Sequence, residues 1–383
     1  MSRPRVVFIT DIPTPYMVAV MSALADRVAL VALFCSTHGT RGLEWQLGEL
    51  PFRHEIVGGP TKRRAGGNAT DLYLSPGLLP ALIRHAPEAV ICGGFSAPSV
   101  YAAGYCAIRN APLIIHSDGT ARSEADLNPL QRFSRAVLVR AADAAAANSE
   151  PAAQRFEQLG FSRERIFRAL HATNIEPFLR AGEGRDHGGR GELRVLATGR
   201  MIVQKGFDHL IRGYALAVGE RPGISLRLVG SGPAERELRR LAEELDVSVA
   251  FDGFVDQPDL PGAYADAEAY VFPSLDDTFG IVLLEACASG LPVIASPHAG
   301  ATVDLIGDER SGLVRDPRDH HAVATALVRL CDHPDLRRSL GEAARALARM
   351  RTPEATAAGY AEAVLFTLRV RQRRPRAISD RRQ

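Results

Sequence analysis

The sequence predicts an α/β protein of two Rossmann-like, doubly wound domains that face each other across a cleft. Its 383 residues are enough for two domains. In each half, apolar runs of strand length alternate with segments of helical periodicity, a pattern typical of parallel sheets. Between the halves, residues 180–192 are rich in glycine and charge and lack apolar periodicity, which favours an interdomain linker. We therefore place the domains at residues 1–180 and 193–352.

The first half begins with a β-loop-α-β unit. An apolar run at residues 6–10 predicts a buried strand, a proline-containing turn follows at 11–15, and a helix and a second strand come next. An alanine-rich stretch at residues 130–147 predicts one helix. The remaining segments are a helix at 18–26 and strands at 28–34, 89–92 and 113–116.

The second half restarts the same alternation. In doubly wound sheets, ligands bind beyond the carboxyl ends of the strands. We therefore expect the binding site on the loops that follow these strands. The predicted segments are strands at 194–198, 225–229, 249–251, 269–272 and 292–295, and helices at 207–218, 235–245 and 281–289.

The charge balance argues against nucleic-acid binding as the main function. The formal net charge is +2 at pH 7, and residues 369–383 hold seven arginines and one aspartate, so the tail carries +6 and the remaining chain −4. Nucleic-acid binding needs a basic face on the folded domain, whereas this chain combines an acidic body with a short basic end. We expect that end to be disordered and solvated.

Cysteine usage and apolar runs predict a cytoplasmic protein. The cysteines never occur as a C-x-x-C pair, which predicts neither a zinc site nor a disulfide framework. The apolar stretch at residues 6–9 is too short for a signal peptide. The run at residues 17–35 is interrupted by Asp26 and Arg27, so no transmembrane helix is expected. The five cysteines are Cys35, Cys92, Cys106, Cys287 and Cys331.

The loop after the strand at 194–198 carries two cations, Arg200 and Lys205. The chain has only two lysines among its 46 basic residues, which makes a lysine at this strand end unusual. Negative charge develops on a diphosphate when a sugar leaves it, and fixed cations in a water-poor cleft stabilise that charge without a metal. The alternative is that Arg200 and Lys205 are two ordinary surface cations. The rarity of lysine in this chain and the motif described next favour a role in binding the diphosphate.

A second motif runs from Asp277 to Glu285. Gly280 lets a ligand approach the backbone where a helix begins, and the amides of a first helical turn suit a phosphate. Asp277 precedes that helix and is suited to accept hydrogen bonds from sugar hydroxyls; an N-cap is the alternative, and Asp276 competes for either role. Glu285 lies in an apolar segment and needs a partner, either the hydroxyls of a ribose or a cation in a buried ion pair.

Three further signals are weak in isolation. Gly230 and Gly232 follow a strand and would let the backbone approach a phosphate or nucleoside. Phe254 and Val255 follow the next strand, where backbone groups would face a base. His116 ends a strand in the first half, where it would contact a sugar or pass a proton; a structural histidine is the alternative.

Together these residues resemble glycosyltransferase family 4, a family of retaining enzymes with the GT-B fold that use sugar nucleotides. The resemblance is strong over residues 193–315 and loose before residue 110. The matching text is G-R-x4-K-G at 199–206, V-G-S-G-P at 229–233, G-F-V at 253–255, F-P-S at 272–274 and T-F-G-x4-E-A-x-A-S-G-L-P-V-I-A-S at 278–296.

The resemblance implies transfer of a sugar from a UDP- or GDP-sugar to a hydroxyl of a glycan, lipid-linked or small-molecule acceptor. It implies retention at the anomeric carbon, no cofactor and no required metal. A front-face mechanism is expected, in which the departing phosphate takes the proton of the attacking hydroxyl, so the paired carboxylates of glycosidases are not needed. The implied residues are His116, Arg200, Lys205 and Asp277 for catalysis, and Gly230, Gly232, Phe254, Val255, Phe279, Gly280, Ile281 and Glu285 for substrate binding.

The resemblance also implies that a C-terminal helix at 353–368 packs back onto the N-terminal domain, ahead of the basic tail at 369–383. Asp277 stands where the family usually has glutamate, which bears on the identity of the sugar. Two alternatives stay open: a sugar-nucleotide epimerase on the same fold, and a non-catalytic nucleotide-sugar-binding protein. A weak peripheral contact with the inner face of the membrane, through residues 62–64, the arginines at 132–140 or the tail, is a further hypothesis.

Overall fold

A computed structural model describes residues 3–36, 49–58, 61–62, 72–73, 75–185, 189, 191–307 and 309–373. The chain divides into two units. Unit 1 takes the residues up to Thr173 together with those from Pro353 on, and unit 2 runs from Asn174 to Thr352. Each unit is built on one main parallel sheet, as the alternating pattern of the sequence predicts.

Unit 1 has nine strands and six helices in its described part. Its strands are β1 (Arg5–Thr10), β2 (Ala29–Phe34), β3 (Arg53–Ile56), β4 (Thr61–Lys62), β5 (Leu72–Tyr73), β6 (Ala89–Gly93), β7 (Leu113–Ser117), β8 (Ala144–Ala147) and β9 (Ile166–Arg168). Its helices are α1 (Pro15–Ala25), α2 (Leu78–His85), α3 (Ala97–Arg109), α4 (Pro129–Ala141), α5 (Glu150–Gln158) and, from the end of the chain, α14 (Pro353–Arg373).

Seven of these strands form a parallel sheet in the order β3-β2-β1-β6-β7-β8-β9, and β4 pairs with β5 apart from it. Helices α2, α3 and α5 supply the buried side chains of one face of the sheet. Helices α1 and α14 supply those of the other face. The sheet is therefore covered on both sides, which explains why strands such as β2 and β8 are entirely apolar, whereas the edge strand β3 is mostly polar and exposed.

Unit 2 has six strands and eight helices in its described part. The strands are β10 (Leu193–Thr198), β11 (Ile224–Val229), β12 (Val249–Phe251), β13 (Ala269–Phe272), β14 (Val293–Ala295) and β15 (Leu313–Val314). The helices are α6 (Glu176–Ala181), α7 (Phe207–Glu220), α8 (Glu235–Glu244), α9 (Leu260–Asp266), α10 (Ile281–Ala288), α11 (Gly300–Ile306), α12 (His320–Asp332) and α13 (Pro334–Ala348).

The sheet of unit 2 has the order β12-β11-β10-β13-β14-β15, and all its neighbours are parallel. Helices α7, α8 and α12 cover one face, and α6, α9, α10 and α11 cover the other. The direction in which successive strands are added reverses between β10 and β13. In doubly wound folds this reversal opens a crevice at the carboxyl ends of the two strands.

The alanine-rich stretch differs from its prediction as one helix. Helix α4 ends at Ala141, and Ala144–Ala147 form strand β8 between β7 and β9. All four alanines of β8 are fully buried. Alanine favours helices intrinsically, but tertiary context overrides that weak preference when a strand completes the ladder of a buried sheet. Their small side chains also let α5 and α14 contact this strand.

The described part of the predicted linker is attached to unit 2. Helix α6 lies in this unit, and Gly182 behind it sits so close to Ser289 that an added Cβ would lie 2.2 Å from the Ser289 carbonyl oxygen. Arg185 donates to the same carbonyl oxygen at 2.9 Å, and burial lowers the pKa of this guanidinium to about 10. The boundary of the units therefore lies at Asn174, earlier than the predicted end of the first domain.

Helix α14 packs in unit 1 against α1, β8 and β9. It continues to Arg373, so the start of the stretch expected to be disordered is helical. Arg371 fixes this last turn, because it pairs with Asp143 at 2.8 Å and donates to the Asn110 side-chain oxygen at 2.7 Å. Residues 374–383 lie outside the described residues.

The described helices include none with the length and apolar content needed to cross a bilayer. The five cysteines are buried free thiols. Burial raises the pKa of Cys35 to about 11, which keeps this thiol protonated at neutral pH.

Candidate active site

Three of the residues predicted in the second half lie on loops at the point where the strand order of unit 2 reverses. Arg200 and Lys205 lie in the loop after β10, and Asp277 lies in the loop after β13. The two strands are neighbours in the sheet. The loops that follow neighbouring parallel strands lie at the same edge of a sheet, so these side chains lie on adjoining loops.

Lys205 and Asp277 form an ion pair between the two loops. Both side chains are largely buried, with 23% of Lys205 and 14% of Asp277 exposed. The loops are also joined by backbone, because the Leu275 amide donates to the Gln204 carbonyl oxygen at 2.8 Å. The backbone bond between the two loops thus holds the residues of the pair close together.

Gly206 explains how the two loops come so close. Its φ is +64°, and an added Cβ would lie 2.2 Å from the carbonyl oxygen of Pro273. Any other residue would push the loops apart or strain the backbone. The glycine that follows Lys205 therefore serves the geometry of the pair.

Arg200 is held by its neighbours at the end of β10. It is partly exposed, and Met201 beside it is completely buried. The Met201 amide donates to the Ser231 carbonyl oxygen at 2.9 Å, which joins this loop to the one after β11. The guanidinium is thus presented from an anchored backbone at the same edge of the sheet as Lys205.

Gly280 begins helix α10 as its N-cap. Its φ is +95°, and an added Cβ would lie 2.4 Å from the Phe272 ring, so only glycine fits. Gly280 has no side chain with which to cap this helix. Its first amides, beginning with that of Ile281, therefore receive no bond from the N-cap residue and are suited to an anionic ligand.

Asp277 is not the N-cap that the sequence left as an alternative. One of its carboxylate oxygens accepts a hydrogen bond from the Phe279 amide at 3.3 Å, and the other faces Lys205. The Phe279 side chain is buried in the core, and its carbonyl oxygen accepts from the Ala301 amide at 2.9 Å. Phe279 thus orients Asp277 through its backbone while its ring anchors the loop.

Glu285 lies on α10, and its side chain is buried. Its hydrogen-bond partner in the described chain is a neutral group, the Tyr264 hydroxyl at 3.1 Å, rather than the cation of a buried ion pair. Burial raises the pKa of Glu285 to about 8, and the bond from Tyr264 opposes this rise only in part. A hydroxyl-rich ligand would supply the further donors that the charged carboxylate lacks.

A chain of hydroxyl groups leads to Glu285. Thr198 Oγ1 lies 2.9 Å from the hydroxyls of both Tyr264 and Tyr270. Because Tyr264 gives its one proton to Glu285, Thr198 donates to Tyr264 and in turn accepts from Tyr270. These three residues were not predicted from the sequence, although a tyrosine in a buried segment usually has a hydrogen-bond partner for its hydroxyl.

Gly230 and Gly232 have a packing role that the sequence did not indicate. A Cβ at Gly230, where φ is +132°, would lie 1.9 Å from the Gly199 carbonyl oxygen. A Cβ at Gly232 would lie 2.4 Å from that of Met201. Both glycines let the loops after β10 and β11 touch, so they shape the edge of the sheet whether or not they contact a ligand.

Phe254 and Val255 differ in exposure. Phe254 is 57% exposed, whereas Val255 packs at the margin of the core. Gly253 before them has a φ of +73°, and its carbonyl oxygen accepts from the Gly230 amide at 2.7 Å. The exposed ring of Phe254 is thus attached to the same set of joined loops.

His116 belongs to unit 1, at the end of β7. Its Nδ1 lies 3.1 Å from the Asn148 side-chain oxygen and 3.2 Å from the Tyr360 hydroxyl, which α14 supplies. Asn148 donates its amide to the Ala169 carbonyl oxygen at 3.1 Å, which leaves its oxygen to accept from Nδ1. This assignment leaves Nε2 of His116 as the acceptor.

The histidine is held neutral as well as oriented. Burial lowers the pKa of His116, and the bond to Asn148 opposes this only in part. At neutral pH the ring therefore presents an unprotonated Nε2, which is able to accept a hydrogen bond or a proton.

Comparison with known proteins supports a glycosyltransferase. Residues 187–347 match the family model described as "Glycosyl transferases group 1". This segment contains the loops of Arg200, Lys205 and Asp277 described above. The narrower assignment to family 4 stays a prediction.

Two curated relatives resemble part of the chain. A GDP-mannose-dependent monoacylated alpha-(1-6)-phosphatidylinositol monomannoside mannosyltransferase of Corynebacterium glutamicum is 35% identical over 159 residues, which are 40% of this chain and 41% of that protein. A D-inositol 3-phosphate glycosyltransferase of Streptomyces scabiei is 32% identical over 244 residues, 59% of this chain and 54% of that protein. The chain thus spans about half or less of the length of these relatives.

Solved structures share the fold over nearly the whole chain. HepE of Anabaena, in complex with UDP, aligns with a TM-score of 0.75 and 20% identity, covering 94% of this chain and 100% of its own. Sucrose-phosphate synthase of Thermosynechococcus elongatus aligns with a TM-score of 0.71 and 20% identity, covering 96% and 100%. These likenesses confirm the predicted fold class of two Rossmann-like domains, the GT-B fold.

Proposed function

We propose that the chain is a retaining glycosyltransferase that moves a sugar from a UDP- or GDP-sugar to a hydroxyl of a glycan, lipid-linked or small-molecule acceptor. The observation that carries this proposal is the Lys205–Asp277 pair beside the open start of α10, at the strand-order reversal of unit 2. A cation, a carboxylate and helix amides on one edge suit a ligand that joins a diphosphate to a polyhydroxylated sugar. The match of residues 187–347 to group 1 glycosyl transferases supports it.

The diphosphate is the part of the donor that these charges serve. As the sugar departs, negative charge grows on the phosphate oxygen, and Arg200, Lys205 and the first amides of α10 stabilise it. Arg200 offers two parallel donors and Lys205 a point charge. In this proposal they take the place of a metal ion, and the reaction needs no cofactor.

The reaction we propose is front-face displacement with retention. The bond between the anomeric carbon and the phosphate oxygen breaks, and the acceptor oxygen bonds to that carbon on the same face. The acceptor proton passes to the departing phosphate oxygen, so the products are a glycoside and a nucleoside diphosphate. His116 belongs to unit 1, and its neutral ring would offer Nε2 to a hydroxyl group as a hydrogen-bond acceptor.

The remaining contacts follow the chemistry of each part of the donor. Asp277 would accept hydrogen bonds from sugar hydroxyls, exchanging part of its contact with Lys205 for the ligand. Glu285 would accept from the ribose hydroxyls, which are donors of the kind its buried carboxylate lacks. Phe254, with its exposed ring, would pack against the base.

A thermal-shift panel of nucleoside-diphosphate sugars tests the donor class, because a ligand that binds only the folded chain raises its melting temperature. The panel includes UDP- and GDP-sugars, since one relative is a GDP-mannose-dependent enzyme and one similar structure was solved in complex with UDP. The donor that shifts the transition is then incubated with hydroxyl acceptors. NMR of the product gives the anomeric configuration, and retention is expected.

The same assay separates the alternatives. An epimerase would convert the donor without an acceptor and yield an epimer in the NMR spectrum. A non-catalytic protein would bind the donor and release no nucleoside diphosphate. Lys205→Ala should abolish transfer; Arg221→Ala, which removes another partly exposed ion pair of unit 2, should leave transfer intact.

A further inference from the structure

Three helices of unit 1 carry most of the exposed large apolar side chains in the described part of this unit. Of the nine large apolar side chains that are exposed in the described part of this unit, seven lie on α2, α3 and α4. Phe133 is 67% exposed and Ile108 84%. The seven are Leu79 and Ile83 on α2, Val100 and Ile108 on α3, and Leu130, Phe133 and Val137 on α4. We call them the α2–α4 surface.

The three helices present these side chains on one side of the unit. Helix α3 contacts both α2 and α4. The buried sides of α2 and α3, and Val139 of α4, pack into the same core on one face of the sheet, so the opposite sides point away from it. On α4 the exposed residues Leu130, Phe133 and Val137 stand three and four positions apart, which aligns them in one stripe.

The charged residues of α3 and α4 are all arginines. Helices α3 and α4 contain four arginines and neither aspartate nor glutamate. One of the four, Arg135, pairs with Glu124 at 2.8 Å. The other three, Arg109, Arg132 and Arg140, are exposed.

We propose that the α2–α4 surface rests on a membrane that contains anionic lipid. Exposed leucine, valine and phenylalanine side chains insert at the boundary of headgroups and acyl chains, and flanking arginines meet anionic headgroups. The sequence hypothesis named the arginines at 132–140, and the structure adds the apolar stripe beside them. Of its other candidates, the side chains of residues 62–64 and all of residues 374–383 lie outside the described part.

The charge pattern favours a bilayer over a second copy of the chain. A symmetric dimer places the same patch of both subunits face to face. It would bring Arg109, Arg132 and Arg140 of one copy towards those of the other, and their helices hold no acidic residue to separate them. An anionic bilayer supplies the opposite charge across the whole surface. The inference does not depend on the proposed transfer reaction.

Vesicle flotation with the full chain tests the inference. Wild type should float with vesicles of phosphatidylcholine and phosphatidylglycerol, and much less with phosphatidylcholine alone or at high salt. Phe133→Ser should weaken partitioning about tenfold, because a large apolar side chain no longer inserts. Arg132→Gln and Arg140→Gln should each weaken it about fivefold.

Met350→Ser is the matched control, because Met350 in unit 2 is 63% exposed, close to the value for Phe133. It should float as wild type does. Absence of wild-type binding to anionic vesicles, or equal loss in Phe133→Ser and Met350→Ser, overturns the proposal. So does a wild-type dimer in size-exclusion chromatography that Phe133→Ser converts to a monomer, because the surface would then belong to a second copy.

Discussion

The Tyr264 hydroxyl lies 3.1 Å from a carboxylate oxygen of Glu285, and both side chains are buried in unit 2. This contact gives the carboxylate one neutral donor where a buried charge needs several. Burial raises the pKa of Glu285 to about 8, and the single bond from Tyr264 opposes this rise only in part. The carboxyl therefore holds its proton more tightly than an exposed glutamate does, and a ligand that brought further donors would favour its charged form.

Glu285→Gln should remove a pH dependence of stability. The ordinary pKa of this group is 4.5 and the folded value is about 8, so the folded state holds the proton more tightly. Its contribution is fully present below the ordinary value and is lost as pH rises towards the folded value. The free energy of unfolding of wild type, relative to Glu285→Gln, should fall across this range by at most about 1.4 kcal/mol per pH unit.

Urea unfolding from pH 5 to pH 9 measures this difference. Glu237→Gln is the control, because Glu237 is exposed on α8 and should leave the wild-type profile unchanged. Parallel profiles for wild type and Glu285→Gln would show that the carboxyl has an ordinary pKa.

Asp277→Asn should separate binding from transfer. The change removes the anionic partner of Lys205 and the repulsion between Asp277 and a phosphate. A nucleoside diphosphate should therefore bind about fivefold more tightly, which corresponds to about 1 kcal/mol of binding free energy. Sugar transfer should fall, because an amide accepts less strongly than a carboxylate. Calorimetric titration and a transfer assay measure the two effects, and weaker nucleotide binding would show that Asp277 does not compete with the phosphate.

His116→Ala should lower transfer and leave nucleotide binding intact, because the nucleotide contacts that we propose all come from unit 2. His116→Gln, which keeps a polar group at this position, should recover part of the activity. Asn148→Ala should also lower transfer, because it removes the acceptor that fixes the tautomer of the His116 ring. If His116→Ala transfers sugar at the wild-type rate, the histidine is only structural.

Gly230→Ala should destabilise unit 2 by at least about 2 kcal/mol, because the residue has a φ of +132° and its Cβ would meet the Gly199 carbonyl oxygen. Gly219→Ala is the matched control: Gly219 lies in α7 and an added Cβ would have no neighbour in the described chain within 4 Å. It should stabilise by up to about 1 kcal/mol. Equal melting temperatures for the two variants would contradict the packing role of Gly230.

The sequence predicts the helices and strands well where apolar periodicity is strong. The prediction fails where tertiary contacts determine the secondary structure. Strands β1 and β10 coincide with apolar runs, because strands of a covered parallel sheet are apolar on both faces. Strand β8 was predicted as helix, because four alanines carry no sign of the ladder that they join. The end of α14 was predicted to be disordered from its basic composition and terminal position, and its anchor Asp143 is too distant in sequence from Arg371 to be recognised beforehand.

The positions of the candidate site residues at strand ends were predictable from the sequence, whereas the contacts that support them were not. Arg200, Lys205 and Asp277 follow strands whose neighbourhood can be inferred from doubly wound topology. The partner of Glu285 could not be inferred in this way, because Tyr264 lies on another helix. The role of Gly230 was also hidden, since contact with Gly199 depends on the register of two strands.

The most direct test of the account is the affinity of Lys205→Ala for the nucleoside diphosphate of the donor that the panel identifies, measured by calorimetry beside wild type and Arg221→Ala. The account predicts that Lys205→Ala binds at least about tenfold more weakly, because a charge-assisted contact with the phosphate is lost, and that Arg221→Ala binds as wild type does. Wild-type affinity in Lys205→Ala would contradict the assignment of the diphosphate to this edge of the sheet.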